Sequence, residues 1–189
     1  MATTITGTTI DVGTNVIVTD SAGNVGIGTA SPAKPLDVTG DIRTSTGILF
    51  GTDTAAANTL DDYEEGTWTV TATPQTSGSI TLGSDTGFYT KVGRLVVVTS
   101  KLDVSAVSSP TGFIKISLPF LVGSYSGSTN VIMENTGNST SITGFWSIVP
   151  ANDTGLGMYL SAATNPSASS AQQVTATSKF WFTASYFVA

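Results

Sequence analysis

Hydrophobic residues in the first part of the chain come in small pairs spaced two positions apart. A spacing of two places both side chains on one face of a β-strand. Stretches rich in Gly, Asn, Asp and Pro separate the pairs, and such stretches form turns. The pattern therefore predicts a series of short β-strands, centred on Ile10 and Val12, Val16 and Val18, Val25 and Ile27, and Leu36 and Val38.

This segment holds too few large hydrophobic side chains to form a core of its own. No aromatic residue precedes Phe50, and so little apolar area cannot offset the entropy that the chain loses on folding. We expect the strands to stack or intertwine with copies from neighbouring subunits; the alternative is a flexible, disordered arm. The side chains expected at this trimer interface are Val16, Val18, Val25, Ile27, Leu36 and Val38.

From about Leu60 the chain becomes richer in aromatic residues, and longer alternating runs replace the pairs. Strands of this length between turns are typical of an antiparallel β-sandwich or jelly roll, and no run has helical spacing. We predict an all-β protein with a short N-terminal β segment (1–59), to which the family resemblance described below assigns attachment and trimerisation, and a C-terminal β-sandwich head (60–189). The predicted strands of the head are 67–72, 88–92, 95–99, 113–118, 130–134, 142–149, 156–160 and 179–188.

The last predicted strand carries large side chains on both of its faces. Phe180, Phe182 and Tyr186 fall on one face, which suits the core of the head. Trp181 and Phe187 fall on the opposite face. We expect a neighbouring subunit of the trimer to cover this second face, and a loop of the same chain is the alternative.

Composition narrows the functions that the chain can perform. It has only 7 Lys and Arg, carries a net charge of −6, and contains no His and no Cys. Nucleic-acid binding needs clustered basic side chains, and the usual catalytic bases and metal ligands include imidazole and thiolate. We therefore expect a non-enzymatic protein without a cofactor that does not bind nucleic acid.

A group of four acidic residues could form a metal site, and a pair of glycines could be mistaken for a phosphate-binding loop. Carboxylates at close spacing can bind Ca²⁺, but the group lacks the pattern of a calcium loop. We expect it to be solvated or paired with Lys91, Arg94 or Lys101, with metal binding as the alternative. Gly26 and Gly28 resemble a phosphate loop only superficially, since no Lys-Ser or Lys-Thr pair and no helix follow; we expect them to form a tight turn or a close approach of strands. The acidic residues are Asp61, Asp62, Glu64 and Glu65.

Three aromatic residues of the head are candidates for contact with host glycans. Tyr125, Trp146 and Tyr159 have amphipathic rings that can stack on a sugar while a polar group remains in water. The alternative is that they belong to the core or to an interface.

Two segments resemble those of a known protein family. Residues 23–40 read GNVGIGTASPAKPLDVTG and resemble the GNVGIGTxSPxxxLDVxG segment of bacteriophage tail-fibre and related virion appendage proteins. Residues 60–68 read LDDYEEGTW, which resembles a segment that precedes the C-terminal β domains of that family. Residues 87–98, GFYTKVGRLVVV, resemble the first hairpin of those domains.

The resemblance implies a homotrimeric virion appendage that docks on other tail or capsid proteins and displays a head for host-surface binding. A tail fibre is preferred; the alternatives are a capsid decoration, cement or head-fibre protein, a glycan-depolymerising spike, and a free lectin module. We expect synthesis in the host bacterial cytoplasm without a signal peptide, a place on the virion surface, and no membrane insertion, because the longest aliphatic run (95–98) is very short. The self-cleaving chaperone of longer relatives is not expected after the last strand.

Overall fold

A computed structural model describes residues 9–12, 15–52, 54–55, 59–137, 142–162, 165–168 and 170–188. The chain divides into two units, Met1–Ile48 and Leu49–Ala189. The boundary predicted between residues 59 and 60 lies within the second unit. The attachment and trimerisation roles of the first part remain predictions.

The first unit is a four-stranded sheet formed by the predicted hydrophobic pairs. Its strands follow the order of the sequence, and β1, β2 and β3 are antiparallel whereas β3 and β4 are parallel. The strands are β1 (Thr9–Val12), β2 (Asn15–Thr19), β3 (Val25–Ile27) and β4 (Leu36–Val38).

The turn between β2 and β3 is organised by the side chain of Asp20. One carboxylate oxygen accepts hydrogen bonds from the backbone N–H of Ala22 and of Asn24, both at 2.9 Å, and the other accepts from the Asn24 side chain. These donors, the Asn24 backbone first, lower the pKa of Asp20. Gly23 has a φ of +83°, which favours glycine.

The glycines of β3 and of the loop that leads to β4 have structural roles. A Cβ atom on Gly26 would lie 2.5 Å from the carbonyl oxygen of Thr29, and Gly28 has a φ of +73°. The Asp37 carboxylate accepts a hydrogen bond from the Ala33 N–H at 2.9 Å. Gly26, Gly28 and Asp37 therefore shape the backbone here, and a structural role was expected for the two glycines.

The second unit contains eleven strands and one short 3₁₀ turn among its described residues. The turn, Ser170–Gln173, precedes the last strand. The strands are β5 (Tyr63–Thr69), β6 (Ala72–Pro74), β7 (Ser77–Ser84), β8 (Thr86–Val92), β9 (Leu95–Thr111), β10 (Ile114–Ser117), β11 (Ser128–Glu134), β12 (Ile142–Ile148), β13 (Gly155–Ala162), β14 (Asn165–Ala168) and β15 (Lys179–Phe187).

These strands form two antiparallel sheets, which confirms the predicted all-β sandwich. The six-stranded sheet has the order β11-β15-β9-β8-β5, with β7 also on β9, and the five-stranded sheet has the order β12-β13-β10-β6, with β14 also on β13. The inward-facing side chains of both sheets form one core, as hydrophobic alternation requires. The core includes Val70, Val98, Leu102, Ile114, Ile116, Leu156, Met158, Phe180, Phe182 and Tyr186.

The predicted strand 67–72 is two strands in different sheets. Thr69 ends β5, the chain crosses between the sheets, and Ala72 begins β6. The side chain of Val70 at the crossing is buried. The backbone N–H of Thr71 donates to the Ser117 hydroxyl at 2.9 Å. Hydrophobic alternation continues through the crossing because the chain stays beside the same core, so the sequence pattern does not reveal the break.

Two aromatic rings in the β5–β8 ladder each lie over a glycine of the facing strand. Trp68 pairs with Gly87, and Tyr89 pairs with Gly66. A Cβ atom would lie 2.4 Å from the Trp68 ring at Gly87 and 2.6 Å from the Tyr89 hydroxyl at Gly66. The Trp68 indole also donates to the Ser117 carbonyl of the other sheet at 3.2 Å. Aromatic rings over strand glycines pin the register of the ladder.

We predict that Gly87→Ala destabilises the head, because the new methyl group displaces the Trp68 ring. Overpacking of this kind costs about 1–3 kcal/mol, and urea unfolding measures it. The matched control is Gly137→Ala, where the nearest atom lies 3.5 Å from the Cβ position. Equal stability of the two variants would contradict the close packing of the Trp68 ring on Gly87.

A second prediction concerns the dependence of stability on pH. The Asp153 carboxylate lies 2.5 Å from the Lys115 ammonium and accepts the Thr154 N–H at 2.6 Å. These contacts, Lys115 first, lower the pKa of Asp153 below its usual 3.8. A carboxyl whose pKa is lower in the folded state stabilises above about pH 4, and this stabilisation is lost as the pH falls through the folded pKa.

Asp153→Asn should therefore lower the melting temperature at pH 7. The difference from the parent protein should shrink below about pH 4, where the unfolded carboxyl is protonated. The matched control is Asp85→Asn. A difference that stays constant between pH 7 and pH 3 would show that Asp153 acts by packing.

Candidate functional site

The outer face of the six-stranded sheet carries hydrophobic side chains that the rest of the described chain leaves exposed. We call this surface the apolar face. The register aligns Phe187, Leu95, Val92 and Tyr63 in one row across four strands. Its large members, with exposed fractions of 38% to 60%, are Tyr63, Phe88, Val92, Leu95, Val97, Ile132 and Phe187.

A groove of about 540 Å³ crosses the apolar face, and Phe88, Ile132 and Trp181 line it. Trp181 is half-buried, and the Lys101 ammonium lies 5.8 Å from the centre of its ring. Phe187 remains 53% exposed. Trp181 and Phe187 thus lie on the apolar face as expected, and the cover of this face by a neighbouring subunit or by a loop stays a prediction.

The expected interface residues of the first unit lie in its sheet. Val16 and Val18 belong to β2, but their side chains lie outside the described part. The side chains of Val25 and Val38 are half-buried, and neither is completely covered. Ile27 and Leu36 are exposed by 40% and 57%. Their role in a trimer remains a prediction.

The two glutamates of the acidic cluster lie on opposite faces of β5, and Asp61 and Asp62 precede the strand. Glu64 is turned toward the interior and Glu65 toward the exterior, because successive side chains of a strand alternate. The Tyr63 hydroxyl donates to Glu65, and this contact raises the pKa of Tyr63. Among the described residues, no three possible metal ligands come together.

Lys91 is the basic side chain that pairs with the acidic cluster. Its ammonium forms an ion pair with Asp62, and its side chain is only 12% exposed. It also lies 5.9 Å from the centre of the Phe120 ring. The other two suggested partners are wrong, because Arg94 donates to the Val188 carbonyl and Lys101 lies 3.6 Å from Asp103.

A row of three stacked rings crosses the outer face of the five-stranded sheet. Trp146 of the edge strand β12 stacks on Tyr159, with ring centres 4.1 Å apart and planes at 11°. Tyr159 stacks in turn on Phe113, at 4.8 Å and 23°. The structure thus brings together two of the three glycan-contact candidates and adds Phe113, which the alternation with the buried Ile114 could have placed on this face. Tyr125, 79% exposed, makes no ring contact with them among the described residues.

A cleft of about 290 Å³ opens beside Trp146, between the edge strands β11 and β12 of the two sheets. At one end the Gly127 N–H donates to the Val149 carbonyl at 3.0 Å and joins the two edges. The hydroxyl of Thr129 is buried and has no hydrogen-bond partner in the described structure. The lining residues are Thr129, Asn130, Val131, Trp146, Ser147 and Met158.

The largest pKa shift among the described groups belongs to a tyrosine of the hydrophobic core. Burial raises the pKa of Tyr186 to about 12, although its hydroxyl accepts a hydrogen bond from the Phe120 N–H at 3.3 Å. Its ring belongs to the core. None of the helices in the described part has the length and apolar character needed to cross a membrane.

Comparisons with known proteins give one likeness in fold. No family model matches the chain, and no curated protein matches it. The chain is similar to the crystal structure of the Dettilon tailspike protein (gp208), with a TM-score of 0.58 and 21% sequence identity. The likeness covers 66% of this chain and 24% of the tailspike, so the chain spans about a quarter of that protein. At this identity the likeness shows a shared fold.

We predict that the ion pair of Lys91 and Asp62 stabilises the start of β5. A double-mutant cycle with Lys91→Met and Asp62→Asn should give a coupling free energy of about 0.5–1 kcal/mol, because Asp62 is partly solvated. The coupling should fall in 1 M salt, where the Debye length is about 3 Å. Lys101→Met with Asp103→Asn is the control, since Lys101 is 50% exposed and its ammonium lies 3.6 Å from Asp103. A coupling no larger than that of the control would contradict the role of Lys91.

Proposed function

We propose that this chain is a non-enzymatic structural protein of a bacteriophage particle, in the form of a homotrimeric, fibre-like appendage. Its N-terminal region attaches to the particle, and its β-sandwich head faces the host surface. A tail fibre is the preferred form. The observation that carries the proposal is the apolar face of the six-stranded sheet.

The apolar face has the character of an interface between subunits. Large exposed hydrophobic patches are rare on monomers and mark sites of association. Phe88, Ile132 and Phe187 are each more than half exposed. Since the same face is present on every copy, three chains around a threefold axis can cover it with one repeated contact.

The first unit supports the same assembly by a different route. Its strands are three to five residues long, and Ile27 and Leu36 are exposed on them. A sheet this small is marginal in water unless one of its faces is covered. Copies of the same sheet from the other two subunits supply that cover.

Two further observations support the class of protein. The fold is similar to part of a tailspike protein, and the segments 23–40 and 60–68 resemble those of virion appendages. The absence of His and Cys from the sequence and the placement of Glu64 and Glu65 on opposite faces of β5 favour a binding role over catalysis.

A glycan-depolymerising spike is the second candidate, because the similar structure is a tailspike. The two candidates differ in what happens to soluble host polysaccharide. Incubation with the trimer should leave the chain length of the polymer unchanged if the protein only binds. A fall in polymer size, measured by size-exclusion chromatography, would replace the present proposal with the enzymatic one.

The particle location is tested by electron microscopy of virions with this protein gold-labelled. Label on the tail supports a tail fibre, and label on the head shell supports a capsid decoration, cement or head-fibre protein. Virions without label contradict the particle assignment and favour a free lectin.

We predict that the full chain has a solution mass three times the 19.3 kDa of one chain. Phe88→Asp and Ile132→Asp should weaken the trimer by about 2 kcal/mol or more, because each buries a charge at the interface. Light scattering coupled to size-exclusion chromatography measures the mass. The matched control is Leu121→Asp, an equally hydrophobic and 50% exposed position outside the strands.

The trimer is contradicted if the chain is a monomer with ordered amides over residues 15–38 at low concentration. It is also contradicted if both aspartate variants retain the trimeric mass. Far-UV circular dichroism of each variant separates a lost interface from a lost fold.

A further inference from the structure

We propose that the cleft between β11 and β12 binds one ring of a neutral saccharide, with the Trp146 indole as its platform. The inference rests on the proposed host-binding role and names the ligand class and the site for it.

Trp146 presents one face of its ring to the outside. Tyr159 covers the other face at 4.1 Å between ring centres, and the side chain is nevertheless 47% exposed. Because β12 is the edge strand of its sheet, no further strand follows on that side. A flat apolar face at the mouth of a cleft suits the C–H face of a pyranose ring.

The orientation of this platform is fixed before any ligand arrives. Phe113 and Tyr159 continue the stack behind Trp146. Tyr159 lies over Gly157, where a Cβ atom would be 2.8 Å from the ring. A ring held in place by its neighbours loses little conformational entropy on binding.

The cleft also offers hydrogen-bonding groups. The buried Thr129 hydroxyl has no partner in the described structure, and buried polar groups normally have one. Asn130 and Ser147 line the same cleft. A ligand with several hydroxyl groups can satisfy Thr129 while its apolar face lies on Trp146.

Size and charge narrow the ligand further. The cleft, at about 290 Å³, lies at the lower end of ligand pockets, which begin at about 300 Å³. It therefore holds one sugar ring. None of its lining residues is charged, so a buried carboxylate or phosphate would lack a counter-charge. These features favour a neutral sugar.

The test uses the full chain on an array of neutral and acidic bacterial surface glycans, followed by isothermal titration calorimetry with the best neutral ligand, a readout that does not depend on the Trp146 ring. We expect binding to neutral glycans, and at least about tenfold weaker binding by Trp146→Ala. Trp146→Phe should retain part of the affinity, and Thr129→Val should weaken it several-fold. Tyr125→Ala, which removes an exposed ring outside the cleft, should bind like the parent.

Three results would overturn the site. These are binding to acidic glycans alone, no glycan binding, and full affinity in Trp146→Ala. Loss of binding in Tyr125→Ala but not in Trp146→Ala would likewise refute the cleft, and capture of an extended peptide along β12 would make it a peptide site. Light scattering of each variant distinguishes the two proposals. Loss of glycan binding in a variant that keeps the trimeric mass contradicts the site and leaves the proposed appendage unaffected.

Discussion

The six-stranded sheet has hydrophobic side chains on both faces, but the second sheet covers only one of them. Val98, Leu102 and Phe182 are buried in the sandwich, whereas Phe88 and Ile132 on the opposite side are exposed. A sheet can leave a polar face in water at no cost, but an apolar face promotes association. The exposed apolar side of the sheet is therefore the feature that supports the proposed assembly into a trimer.

Residues 60–68 and 87–98, two of the segments that resemble virion appendage proteins, pack against each other in the β5–β8 ladder. LDDYEEGTW supplies Gly66 and Trp68, and the following hairpin supplies Gly87, Tyr89 and Lys91. Each ring lies over the glycine of the other segment, so the packing of each segment depends on the other. The ladder also brings Lys91 of the second segment to Asp62 of the first, where the two side chains form an ion pair.

Much of the fold could be predicted from alternation, but its irregular parts could not. The burial of Phe180 and Tyr186 and the exposed face with Phe187 followed from period-two spacing. β7 was missed because Ile80 and Leu82 are its only large apolar residues, and β9 continues to Thr111, well past the predicted end at residue 99. The stacking of Trp146 on Tyr159 depends on the register of β12 against β13, which a single sequence does not specify.

The two outer surfaces of the head have different chemistry, and this difference links assembly to binding. The apolar face excludes water best when it meets other subunits, whereas the cleft combines the Trp146 ring with polar groups that suit a hydrated ligand. Asn130 lines both the groove and the cleft, so the two surfaces adjoin at β11. A cleft that holds one sugar ring offers few contacts. In the proposed appendage, three clefts on each trimer and many trimers on each particle would convert such weak contacts into firm adhesion through effective concentration. The two proposals therefore support each other, because the proposed assembly supplies the multivalency that so small a site needs.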